Sequence, residues 1–178
     1  MQYLKEKTFE RININYIAQF MALASVVVFL PYLVPSQWIV GPIVNAVLIL
    51  TLLKFGFRNA TAIAIVPSIV ALSSGLLPVI LAPIVPFIMA SNIILILCVD
   101  WCYNNFKDKT KGYWTGVFVG ATLKFLFLFF SVNIISGLLI KQELAIKVAQ
   151  MMSWPQFYTA VIGGVIAWGV LERFKKEN

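Results

Sequence analysis

Long apolar runs separated by short charged turns make up almost the whole chain. The first run extends from Tyr16 to Val34 and the second from Trp38 to Leu53, closed by Lys54 and Arg58. A third covers Ala60 to Ser74 and stops at Gly75. The fourth begins near Pro78 and reaches Trp101, after which a polar loop occupies Asn104 to Lys111. The fifth run is Tyr113 to about Ile140. An amphipathic linker, 141–153, carries Lys141, Glu143 and Lys147 and leads into the sixth run, Trp154 to Leu171, before the tail Glu172–Asn178. None of the runs alternates in the manner of a strand, and only helices or closed barrels satisfy the backbone in lipid. The pattern therefore predicts an all-α bundle of six transmembrane helices in one domain, 1–178. A helix needs about 20 apolar residues to cross the hydrocarbon core. Spans two and three are shorter, which suits a thinned bilayer or a bundle interior.

Composition agrees with this reading. The chain is 61% hydrophobic and 12% charged, with mean hydropathy +0.90, whereas soluble domains are about a quarter charged. No polar stretch is long enough for a second domain. No cleavable signal peptide is expected, because the first residues are polar and basic and no A-x-A-type site follows the first run.

The net charge of +7 would suggest nucleic acid in a soluble protein. Here the charge lies in the turns and sets orientation instead, so no nucleic-acid partner is expected. Lys5, Lys7, Arg11, Lys54, Arg58, Lys107, Lys109, Lys111, Arg173, Lys175 and Lys176 fall on one side of the six spans, and only Lys141 and Lys147 on the other. The excess of basic residues in cytoplasmic loops then predicts a multi-pass protein of the cell membrane with both termini in the cytoplasm. Trp38, Trp101, Trp114 and Trp154 at span ends fit an aromatic belt.

Several chemistries are excluded by what is missing. There is no G-x-x-x-x-G-K-[ST] loop, no H-E-x-x-H, no G-x-S-x-G and no span with two carboxylates. With no histidine and seven acidic residues, nearly all in turns, a proton relay lacks its parts. Cys98 and Cys102, one helical turn apart, are too few for an iron–sulfur or closed zinc site. Neither catalysis nor a metal or cofactor is expected, which leaves binding or coupling as the class.

Three features carry chemistry. Pro78, Pro83 and Pro86 crowd the start of span four and predict a helix bent for packing or around a ligand. Small residues recur at close spacing: Ala18 and Ala22 in span one, Gly112, Gly116 and Gly120 in span five, and Gly163, Gly164 and Ala167 in span six. Such patches let helices approach, either within the bundle or against another subunit. Polar residues inside spans are few: Asn45, Ser68, Asn92, Lys124 and Asn133.

Lys124 stands apart. It lies eleven residues past Tyr113, about 17 Å along the axis at 1.5 Å per residue and too deep for easy snorkelling. A lysine there costs about 2.5–3.5 kcal/mol on insertion scales. It either meets an anionic or carbonyl-rich ligand or makes a structural hydrogen bond to Asn92, Ser68 or a carbonyl freed by a proline.

Six short spans, both ends inside and no ATPase motif resemble the substrate-binding (S) components of energy-coupling factor (ECF) transporters. Ala18-Gln-Phe-Met-Ala22 matches the A-x-x-x-A patch that this family carries in span one. The stretches W-I-V-G-P-I-V-N-A (38–46), G-L-L-P-V-I-L-A-P-I-V-P-F (75–87) and M-M-S-W-P-Q-F (151–157) are similar to a subgroup of unassigned substrate. The resemblance implies uptake of a vitamin-like micronutrient with a shared transmembrane T component and two ATPases, docked through Ala18 and Ala22. It also implies a ligand in the outer half of the bundle, which by position suggests Gln37, Trp38, Asn92, Asn133, Trp154 and Gln156. The other readings are a stand-alone small carrier or channel, and a non-catalytic scaffold subunit of a membrane complex.

Overall fold

The structure, a computed structural model, describes residues 14–139 and 152–177. Lys5, Lys7, Arg11 and most of the linker with Lys141, Glu143 and Lys147 lie outside the described residues. The described residues form six α-helices and one 3₁₀ segment: α1 (Ile14–Leu33), α2 (Gln37–Phe55), α3 (Phe57–Ser73), the 3₁₀ segment Val79–Ile84, α4 (Val85–Asn105), α5 (Lys109–Leu139) and α6 (Trp154–Glu177). Five of the helices are long and apolar enough to cross a membrane, and α3 is shorter. The chain is thus an all-helical protein with the build of a membrane-embedded bundle.

The turns follow from local chemistry. A single residue, Gly56, separates α2 from α3. It adopts φ 85°, which a side chain would strain, and its N–H closes α2 by bonding to Leu52 O at 3.0 Å. Gly75 plays a similar part after α3, at φ 77°, where Leu77 N–H reaches back to Ala71 O at 2.8 Å. At the other charged turn, Asp108 Oδ1 accepts from the N–H groups of Thr110 and Lys111 at 3.0 and 3.2 Å, starting α5.

The proline-rich stretch differs from the single bent span expected from Pro78 onward. Pro78 caps the 3₁₀ segment, Pro83 lies inside it, and Pro86 falls in the first turn of α4. Proline is tolerated in a first turn, where its missing N–H would be unsatisfied anyway. Three prolines in nine residues therefore end one element and start the next instead of bending one helix.

Helix α2 is central, with eleven of its 19 residues buried. The most extensive seams are α4 against α5 and α2 against α6, while α1 packs peripherally on α2 and α3. In lipid, apolar side chains gain little by leaving the tails for each other, so small residues and hydrogen bonds hold such helices together. The glycines show this directly. A Cβ on Gly116 would stand 2.7 Å from Val99 Cα on α4, and one on Gly163 would stand 2.8 Å from Pro42 O on α2. The Gly112, Gly116 and Gly120 stripe and the Gly163–Gly164 pair thus face neighbouring helices of the same bundle. Cys98 and Cys102 are free thiols on the α4 side of the first of these seams. Where α5 meets α6, the buried Tyr113 hydroxyl donates to Gly164 O at 2.6 Å.

Candidate functional site

Several polar groups of the helices converge on one point. Lys124, midway along α5, is 2% exposed and donates from Nζ to Asn45 Oδ1 on α2 at 2.7 Å and to Asn92 Oδ1 on α4 at 2.8 Å. Asn92 Nδ2 in turn donates to Ala64 O on α3 at 3.1 Å, and Asn45 Nδ2 reaches Thr159 Oγ1 on α6 at 3.5 Å. Thr159 Oγ1 donates to Gln156 O one turn earlier, at 3.2 Å. Five of the six helices meet in this network, and α1 stays outside it.

Beside the network lies a cavity of about 90 Å³. Its polar lining consists of Gln37, Asn45, Ser68, Asn92, Lys124 and Gln156, and its walls are otherwise apolar, including Val44, Leu77, Ile88 and Met152. Gln37 begins α2, Gln156 lies in the first turn of α6, and Leu77 follows α3. The cavity therefore occupies the half of the bundle away from the charged α2–α3 and α4–α5 turns.

Ser68 is the anomaly within it. The side chain is 2% exposed, and its Oγ has no hydrogen-bond partner among the described residues. A helical serine usually returns its hydroxyl to the carbonyl four residues back. Here that carbonyl, Ala64 O, accepts from Asn92 instead. A buried polar atom left unpaired costs about 1–3 kcal/mol, so Ser68 is poised for a partner that the described residues do not supply.

The residues expected from sequence to form a site divide into two groups. Lys124, Asn92, Gln37 and Gln156 line the cavity. Trp38 and Trp154 do not; they are 63% and 61% exposed, and Trp154 stacks on Phe125 with centroids 5.2 Å apart. Asn133 also lies elsewhere, exposed on α5 and bonded to Phe129 O of its own helix at 2.7 Å. Asn45, Ser68 and Thr159 complete the cluster. The first two are visible in sequence as polar residues inside spans, whereas Thr159 gives no such signal.

Ala18 and Ala22 sit on the outer surface of α1. Ala22 also borders a second, larger void of about 640 Å³ between α1, α2 and α6, near Lys54. That void is mostly apolar, and its two polar side chains, Gln19 and Lys54, are exposed. It has no buried hydrogen-bonding group, so the chemistry lies with the smaller cavity. Among the described residues, no three His, Cys, Asp or Glu side chains come together.

No family model, curated protein or solved structure matches the chain.

Proposed function

We propose that this chain is a membrane-embedded substrate-binding subunit for uptake of a small micronutrient, working with a T component and ATPases. The observation that carries the proposal is the pairing of the Lys124–Asn45–Asn92 network with an adjoining cavity that holds the unpartnered Ser68. Intramembrane ionisable residues mark ligand or ion pathways by default. The resemblance of Ala18-Gln-Phe-Met-Ala22 to the A-x-x-x-A docking patch adds the partner, and the exposure of both alanines is consistent with it.

In this reading α3 is the sixth span. Its 17 residues fall at the lower end of the range for a transmembrane helix. Both termini and the Lys107–Lys111 turn face the cytoplasm, and the cavity lies in the outer half. The orientation has a direct test in a Cys98→Ala, Cys102→Ala background. With Gln142→Cys added, a membrane-impermeant thiol reagent labels the chain on intact cells; with Asp108→Cys added, it does not. The opposite pattern overturns the orientation.

The functional test uses the chain purified gently from its own membrane. ATPase activity and a second integral membrane subunit are expected to co-purify with it. Ala18→Leu with Ala22→Leu lowers the co-purified ATPase activity at least tenfold without changing the chain's thermal midpoint. Wild-type chain that carries no ATPase, and alone passes solute across liposomes, makes it a stand-alone carrier. An equal collapse of folding in the double variant makes the two alanines bundle packing instead.

A further inference from the structure

We infer that the cavity takes a small organic monoanion, a short-chain carboxylate whose carboxylate is met by Lys124 and Ser68. The inference rests on the reading of the chain as a binding subunit and names the class of ligand.

Donor bookkeeping comes first. A lysine ammonium has three N–H donors and no acceptor. Asn45 and Asn92 take two, and no described atom takes the third. The Ser68 hydroxyl adds a second uncommitted donor on the same cavity. Two free donors in the lining of one cavity match the two oxygens of a carboxylate.

Charge points the same way. No acidic residue is among the described residues lining the cavity, so Lys124 lacks a counter-charge there. A cationic ligand would meet like charge, and a neutral one would leave the cost of the buried ammonium unrelieved. Phosphate and sulfate are disfavoured because they bring three or four oxygens to two free donors against apolar walls.

Size sets the rest. An apolar cavity of about 150 Å³ accommodates benzene, with its six carbons. By that scale 90 Å³ holds about four non-hydrogen atoms. A carboxylate with one further carbon fits, its methyl group against Val44 and Ile88.

Sodium acetate and its neutral isostere acetamide separate the possibilities. Each is titrated against the purified wild-type chain at fixed ionic strength, with binding read by calorimetry and by the shift in thermal midpoint. Acetate is expected to bind and stabilise the chain, with acetamide at least tenfold weaker. Lys124→Met abolishes the preference for the anion. Ser68→Ala removes one small polar atom, keeps the fold and weakens acetate several-fold. Equal binding of the two probes, or retention of the preference in Lys124→Met, overturns the anionic assignment and leaves the binding subunit standing. Absence of binding by both probes also overturns it. In that case the reading as a binding subunit falls only if the gently purified chain also carries no ATPase partner.

Discussion

Asn92→Leu is expected to lower the thermal midpoint of the purified chain by about 5–25 °C, and adding Lys124→Met is expected to restore much of the loss. Asn92 accepts from Lys124 at 2.8 Å and donates to Ala64 O at 3.1 Å. Leucine keeps similar volume but removes both bonds. A buried hydrogen bond to a charged group contributes about 1.5–3 kcal/mol, and a buried polar group left unpaired costs about 1–3 kcal/mol. The loss is therefore about 2.5–6 kcal/mol. A chain of this size shifts by about 2–4 °C per kcal/mol.

The double variant distinguishes a coupled network from independent contacts. Once Lys124 is methionine, no ammonium needs the Asn92 oxygen, so the second substitution costs less than it does alone. The coupling energy should exceed about 1 kcal/mol, as is usual for groups in one hydrogen-bond network. Additive losses in the two single variants would mean that Lys124 does not depend on Asn92.

How far this site was legible in the sequence depends on what each residue's neighbours add. Lys124 announces itself, because an ammonium eleven residues into an apolar run has no cheap position in lipid. Asn45 and Asn92 are marked by the same logic, since amides inside spans turn toward the bundle. Their common target is not legible: three residues 32 and 79 positions from one another along the chain meet only through the packing of α2, α4 and α5.

Ser68 shows the opposite limit. Serine is common in helices and usually satisfies itself locally; it is singular here because Asn92, from another helix, occupies the carbonyl it would use. Trp38, Trp154 and Asn133 were placed by analogy of position along the spans. Which way a side chain faces around a helix depends on the register against its neighbours, and these three face away from the cavity.

The fold was more legible than the site. Hydropathy located the six helices of the described residues, because a long apolar run in lipid must be helical. The differences lie at the ends. α5 begins at Lys109, four residues before Tyr113, since Asp108 caps the polar turn into the helix. α4 begins at Val85 because the proline cluster forms its own 3₁₀ turn. The small-residue patches in spans five and six could have served an outside partner equally well. Only the close approach of Gly116 to Val99 and of Gly163 to Pro42 assigns them to the bundle interior.

The network also bears on how binding could be signalled. A ligand that touches Lys124 adjoins bonds to α2 and α4 directly, and through them to α3 and α6. The α1 surface that carries Ala18 and Ala22 is outside that network. Partner docking and ligand binding are thus expected to be separable by mutation, as the Ala18→Leu, Ala22→Leu variant tests.

Native mass spectrometry tests the central claim most directly. Wild-type chain and the Lys124→Met variant are extracted gently from the same membrane and their spectra compared. Methionine keeps much of the lysine stem's volume, so the variant retains the cavity and loses the ammonium. The wild type is predicted to carry a discrete non-lipid small molecule. Its occupancy should fall at least tenfold in the variant, a difference of about 1.4 kcal/mol, while the variant remains folded at the temperature of the measurement. Identical spectra from two well-folded proteins, or phospholipid as the only bound species in both, would contradict a ligand site at Lys124 and make the buried lysine a structural bond between α2, α4 and α5.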